Sequence, residues 1–284
     1  MISEAGASDV KGYLEYKITY NENFSPIVHV PINGRLVPLV VDTGALGMGL
    51  SLSKDVLDTF HELDEIGVDR YTDLTGKVTN VKQYKLSELD IDGFSFRNLV
   101  INEYYQWGLY SEKSSQASNN VQIKGVIGIQ LLKQFPVIMD FVNNKFFILS
   151  SVEVVPSAIY ERSKWQKVKF ALNSNGIEIS ATFGSNNRGS LDLDSASTIS
   201  IIKPSMVPHN EINYNCELLF QGEDKCRYYL AKDLKLDNVS FGQQQFIIYG
   251  FNEPVSSGIL GFDYLNDKII FFDFKNKYML VKNA

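Results

Sequence analysis

The stretch Val37-Pro38-Leu39-Val40-Val41-Asp42-Thr43-Gly44-Ala45 carries an apolar run directly into an acidic turn. About half a chain later, Leu191-Asp192-Leu193-Asp194-Ser195-Ala196-Ser197 repeats the arrangement. Outward from each turn, further blocks recur in the same order. Leu89-Asp90-Ile91-Asp92-Gly93-Phe94-Ser95-Phe96 is answered by Leu234-Lys235-Leu236-Asp237-Asn238-Val239-Ser240-Phe241. Gly125-Val126-Ile127-Gly128 is answered by Gly258-Ile259-Leu260-Gly261. From there the halves run in step without a gap: Leu132 matches Leu265, Asp140-Phe141 matches Asp273-Phe274, and Asn143 matches Asn276. Blocks repeated in one order mark a duplicated unit, and the period is far too long for a solenoid. Two similar lobes are expected.

The local patterns are those of strands. Tyr13 to Tyr20 and Ile27 to Ile32 alternate at period two, and Asn33-Gly34 reads as a hairpin turn feeding the strand that ends at Asp42. In the second half, Ile177 to Phe183 leads through a looser turn, Gly184 to Gly189, into Leu191-Asp192-Leu193. Helical signals are confined to Ser53–Leu63, with Ser53 as its cap, and to Ile129–Phe135. The polar segment Ser151 to Ser163, with Pro156, reads as a linker. The expected architecture is all-β: two β-barrel-like lobes, residues 12–150 and 165–284, joined by residues 151–164, with a cleft between them. Ligand sites favour such interfaces.

Composition narrows the function classes. The chain has 284 residues, 44% apolar and 21% charged, as in an ordinary globular protein. A net charge of −6 gives no reason to expect nucleic acid or an anionic membrane as partner. No apolar stretch approaches the roughly 20 residues needed to span a bilayer. Met1 to Lys11 is polar, without the apolar region of a signal peptide, so the chain is expected to be cytosolic or to begin after a removed leader. Cys216 and Cys226 lie symmetrically about Gln221-Gly222-Glu223-Asp224. A disulfide there, or a removed leader, would favour an extracytoplasmic location, periplasmic or secreted; two free buried thiols are the alternative.

One chemistry needs a carboxylate delivered on its own tight turn from each half. Two Asp side chains about 3 Å apart cannot both ionise, so they share a proton. The ionised one acts as general base on a water, and the protonated one polarises an amide carbonyl. Other chemistries lack their parts. Gly44, Gly47 and Gly49 stand in the order G-x-x-G-x-G, and a P-loop lysine is missing. His29, His61 and His209 are scattered, so neither a metal site nor a histidine triad is assembled, and no G-x-S-x-G occurs. Asp140 and Asp273 read as structural carboxylates taking local hydrogen bonds.

On these motifs the chain resembles a single-chain, bilobal aspartic protease of the pepsin and retropepsin superfamily, built from two retropepsin-like halves. The likeness runs from about Val28 to Leu149 and from about Ile177 to Val281. It implies that Asp42 and Asp194 are the catalytic pair and that Val126-Ile127-Gly128 and Ile259-Leu260-Gly261 thread the loops supporting them. It also implies that Thr43 and Ser195 lock the two turns together through their hydroxyls. Gly44 fits the family pattern, whereas Ala196 stands where the family has glycine, which lets the backbone N–H approach the carboxylate with no Cβ in the way. The residues after the motifs differ: Ser197 is able to donate to Asp194 and Ala45 has nothing to offer Asp42, which places the charge on Asp194 and the shared proton on Asp42.

The family closes its cleft with a glycine-tipped hairpin. Tyr71 to Thr79, with Thr75-Gly76 at the turn, is the candidate flap, including Tyr71, Thr75 and Gly76 among its residues; an ordinary surface hairpin is the other reading. Tyr104, Tyr105, Trp107 and Tyr110 either border the cleft or cover a sheet edge. Two functions follow. One is an aspartic endopeptidase acting on peptide or protein substrates as a monomer, without metal or cofactor. The other is a non-catalytic module of the same fold that binds an extended peptide or other polymer.

Overall fold

The structure, a computed structural model, describes residues 12–21, 24–45, 47–72, 78–105, 122–173, 176–183, 187–214, 227–250 and 256–284. It is mostly β, with three sheets of eight, nine and six strands among the described residues. Each half contributes one large sheet, and both follow the same path. Pro26–Ile32 turns through Asn33 and Gly34, with φ of +48° and +76°, into Arg35–Val41, pairing Ile32 with Arg35. Residues that tolerate positive φ make this tight turn possible. Arg35–Val41 then lies parallel to Gly125–Ile127, which is antiparallel to Leu50–Leu52, itself parallel to Phe94–Glu103. In the second half, Gly176–Phe183, Asn187–Leu193, Gly258–Leu260, Ile201–Ile202 and Gln244–Ile248 take the same places with the same directions.

The repeated glycines have a steric cause at the centre of each sheet. A Cβ on Gly125 would lie 1.9 Å from the Ser51 carbonyl oxygen, and one on Gly258 would lie 2.3 Å from that of Ile201. Only glycine lets the short central strand approach its neighbour so closely. The second repeated block is likewise a turn. Asp92-Gly93 and Asp237-Asn238 all have positive φ and link Val78–Ile91 to Phe94–Glu103 and Leu234–Leu236 to Val239–Ser240.

The six-stranded sheet belongs to both halves. Its order is Tyr13–Lys17, Lys145–Leu149, Val137–Asp140, Lys268–Asp273, Tyr278–Asn283, Gln166–Lys169. The halves meet where Val137–Asp140 pairs antiparallel with Lys268–Asp273. Exchanging the halves turns the pair Val137–Phe272 into Met139–Ile270, which is also present, so a pseudo-twofold axis runs through this junction. Asp140 and Asp273 close matching turns: each accepts the backbone N–H and the side-chain amide of Asn143 or Asn276, at 2.7–3.0 Å.

Residues 151–164 cover the outer face of this sheet. Tyr160 is buried against Ile138, Phe147, Ile269 and Phe271, and its hydroxyl donates to Asp140 Oδ2 at 2.8 Å. The Arg162 guanidinium lies 4.3 Å from the Phe271 ring centroid and donates to the carbonyls of Val152 and Val154. The segment therefore packs as a lid on the sheet.

Several local expectations are corrected. Among the described residues the α-helices are Lys54–Leu57, Ile129–Leu132 and Phe262–Leu265, each one turn long. The helix expected over Ser53–Leu63 stops early, where the Thr59 hydroxyl takes the Val56 carbonyl. Ser53 stands at its N-cap position, but its hydroxyl donates to Asp55 Oδ1, at 2.7 Å. Tyr13 to Tyr20 is not one strand: it breaks at Ile18, whose N–H donates to Asn144, and Thr19–Tyr20 joins the eight-stranded sheet. The turn expected over Gly184–Gly189 is shorter, since strand resumes at Asn187. Among the described residues no helix is long and apolar enough to cross a membrane.

Candidate active site

Each Asp turn begins where its strand leaves the parallel pair. The Asp42 N–H donates to Ile127 O and the Asp194 N–H to Leu260 O, both at 3.0 Å. The turn then closes on itself, with Ala45 N–H reaching Asp42 O and Ser197 N–H reaching Asp194 O. The chain that returns past the site is tied to it through Ile129 N–H to Ala45 O and Phe262 N–H to Ser197 O. Gly128 and Gly261 sit at these crossings, where a Cβ would lie 2.5 Å from the carbonyl oxygen of Met48 or Ile199.

Four reciprocal hydrogen bonds join the turns. Thr43 Oγ1 donates to Leu193 O at 2.7 Å and accepts the Ser195 N–H at 2.9 Å. Ser195 Oγ donates to Val41 O at 2.7 Å and accepts the Thr43 N–H at 3.1 Å. Thr43 and Ser195 are fully buried, so each hydroxyl satisfies two backbone groups that water does not reach. Thr43→Val removes one hydroxyl and strands two buried groups. An expected loss of about 2–3 kcal/mol follows, read by chemical denaturation, with Thr43→Ser restoring most of it.

The lock sets the two carboxyls in hydrogen-bond contact with each other. Asp42 Oδ1 accepts the Gly44 N–H at 2.8 Å. Asp194 Oδ1 accepts the N–H groups of Ala196 and Ser197 at 2.9 and 3.0 Å. The Asp194 carboxyl also rests on the Gly44 backbone, since a Cβ there would lie 2.7 Å from its Cγ. That contact explains glycine in the first turn. In the second turn, Ala196 packs its methyl against the first half's cluster of Ile27, Val40, Ala45, Met48 and Val126 while its N–H still reaches Asp194.

Asp42 is 5% exposed and Asp194 half-buried. Burial, and next the charge of Asp194, push Asp42 well above the usual carboxylate range. Burial also raises Asp194, against the pull of the Ala196 and Ser197 N–H groups and of the hydrogen bond from Asp42. The pair therefore holds a proton above the usual carboxylate range and titrates as a unit. The Ser197 hydroxyl does not serve Asp194 as expected: it donates to Ile199 O at 2.9 Å, and the Ser197 backbone N–H meets the carboxylate instead.

A pH dependence of stability follows from the raised values. Folded Asp42 keeps its proton at a pH where the unfolded chain has lost it, so stability present in acid is lost as pH rises above the ordinary carboxylate value of 3.8. Asp42→Asn removes this penalty. Its melting temperature is expected to exceed that of the wild type at pH 7, with the difference vanishing near pH 3.

Tyr71 packs on the Ile27–Val126 cluster, and its hydroxyl is held by the side-chain amide of the buried Asn102. It stands on a strand, Asp64–Thr72, antiparallel to Val78–Ile91, with Tyr71 opposite Thr79. Thr75 and Gly76 lie outside the described residues, as do Trp107, Tyr110, Cys216 and Cys226. Tyr104 reaches the same cluster, whereas Tyr105 is half exposed. The cluster and Asn102 are not legible in the sequence, because their membership depends on cross-strand register.

No family model matches the sequence, and no curated protein matches it. Solved structures do. Basic 7S globulin from soybean superposes with a TM-score of 0.57 at 8% identity, covering 96% of this chain and 95% of that one. The aspartic proteinase from Irpex lacteus superposes with a TM-score of 0.56 at 12% identity, covering 96% and 97%. At such identities the likeness is one of fold. The chain has the pepsin-like two-lobed fold, a broader class than the retropepsin-like halves expected from the sequence.

Proposed function

We propose that this protein is an aspartic endopeptidase, built from duplicated retropepsin-like halves, in which Asp42 and Asp194 hydrolyse peptide bonds without metal or cofactor. The observation that carries this reading is the reciprocal Thr43–Ser195 lock, which brings the two carboxyls into hydrogen-bond contact. Ionised Asp194 takes a proton from a water held between the pair, and the water oxygen attacks the scissile carbonyl carbon. Protonated Asp42 gives its proton to the carbonyl oxygen, leaving a neutral tetrahedral diol. Collapse of the diol returns one hydroxyl proton to Asp42, while Asp194 passes the proton it took from water to the departing amine, which regenerates the pair. One chain carries both turns, so a monomer suffices.

A non-catalytic peptide-binding module is the second reading, favoured by alanine at position 196 and by a fold neighbour named as a globulin. Incubation with denatured protein from pH 3 to 7, with and without pepstatin, separates the two. Pepstatin-sensitive cleavage in acid supports the enzyme; binding of peptides without cleavage across that range supports the module.

A further inference from the structure

The two halves present unlike surfaces beside the carboxyl pair. Two residues before each Asp, on the strand face turned away from the core, stand Val40 and Asp192; Leu39, Val41, Leu191 and Leu193 on either side belong to the core. In the first half, cross-strand pairing sets Ile27, Val40 and Val126 in one row, and that row packs with Ala45, Met48 and Ala196 of the two turns. In the second half the matching row is Glu178, Asp192 and Ile259. Two carboxylates thus stand where the first half has isoleucine and valine. Asp192 is 8% exposed, and Glu178 is half-buried with Oε2 accepting the Asn173 amide at 2.5 Å. Asp192 already takes part in a polar contact, so a ligand would join an existing network.

A row bearing two carboxylates attracts a cationic side chain, where the matching row of isoleucine and valine attracts an apolar one. We propose that Asp192, backed by Glu178, makes the second-half side of the cleft a subsite for a Lys or Arg side chain flanking the scissile bond. The Ile27–Val40–Val126 row takes an apolar side chain on the other flank. The preferred substrate is then a chain with an apolar residue next to a basic one. This rests on the endopeptidase reading for cleavage, but recognition is measurable without it. Near the ordinary working range of acid proteases Lys and Arg are fully charged, so the pairing holds wherever the carboxylate is ionised.

Two measurements test it. Cleavage of a peptide library at pH 5, sequenced by mass spectrometry, is expected to show Lys or Arg enriched at one residue flanking the cut. Asp192→Asn, nearly isosteric, should lower kcat/KM for those peptides about 10- to 100-fold and abolish the basic enrichment. Asp192→Val should shift the enrichment to apolar residues, with thermal melting verifying that both variants fold. Binding is measured on matched peptides whose central amide is reduced, and so cannot be cut, bearing Lys or norleucine at that flank. The Lys peptide should bind at least about 10-fold tighter to the wild type and equally well as norleucine to Asp192→Asn. Cleavage without basic enrichment overturns the subsite and leaves the endopeptidase standing; Lys and norleucine peptides binding the wild type alike overturn the subsite whether or not any peptide is cut. Lys-selective binding lost in Asp192→Asn, with no cleavage of any peptide, keeps the subsite and discards the endopeptidase.

Discussion

Replacing Asp42 or Asp194 by Asn is expected to lower kcat/KM for a good peptide substrate by at least about 10³-fold, with KM little changed. The two losses have different origins. Asp194→Asn removes the base, because an amide does not take a proton from water. Asp42→Asn keeps a hydrogen-bond donor near the carbonyl but removes the proton that neutralises the developing oxyanion. Both variants keep an oxygen able to accept the turn N–H groups of Gly44, or of Ala196 and Ser197, so the fold should survive. The double variant should be no worse than the single ones, since the pair acts as a unit. A variant at either position that retains more than about a tenth of wild-type activity would remove that residue from the chemistry. Steady-state assays at the pH optimum, with circular dichroism as a folding control, measure this.

The largest expected effect on stability lies at Gly125. An alanine there places Cβ 1.9 Å from the Ser51 carbonyl oxygen and 3.0 Å from Leu39 Cδ2. The obstructing atom is backbone, so no side-chain rotation relieves the contact. Gly125–Ile127 must move away from Leu50–Leu52, loosening the pairs Leu50–Ile127 and Leu52–Gly125. Ordinary overpacking costs about 1–3 kcal/mol; separation of paired strands in a sheet centre should exceed it, at about 4 kcal/mol or more. For a chain of this size that is a melting temperature lower by roughly 10 °C. Gly258→Ala, 2.3 Å from Ile201 O, should behave alike, whereas Gly47→Ala, with nothing within 4 Å, should melt as the wild type does. Equal stability of Gly125→Ala and Gly47→Ala would refute the steric account.

Much of the fold was readable where its cause is local. Asn33-Gly34 and Asp92-Gly93 announce turns because few other pairs accept two positive φ values in succession. The repeated Gly125–Gly128 and Gly258–Gly261 blocks were readable as a repeat, though their reason, a carbonyl oxygen pressed against the glycine Cα, emerges only from the packing. Other features were hidden because their partners are distant. The six-stranded sheet draws Gln166–Lys169 and Tyr13–Lys17 to its opposite edges, and no local pattern distinguishes these strands from those of the large sheets. Lys54–Leu57 is shorter than its sequence pattern suggests, because a side-chain hydroxyl at Thr59 competes for a helix carbonyl. Residue type alone makes Ser197 a hydroxyl donor to Asp194, yet the geometry of the turn directs that hydroxyl to Ile199 and leaves the task to the backbone.

By itself the sequence determined the duplication, the β character and the two acidic turns, because each is a matter of residue type, period and chain-local conformation. The tertiary structure decided how the turns meet. Thr43 and Leu193 are 150 residues apart in the chain, and 2.7 Å separates their bonded oxygens. That bond, the raised proton affinity of the carboxyl pair and the place of the Ala196 methyl depend on a low-dielectric contact between halves, where burial and a neighbouring charge fix what a lone carboxyl in water would not.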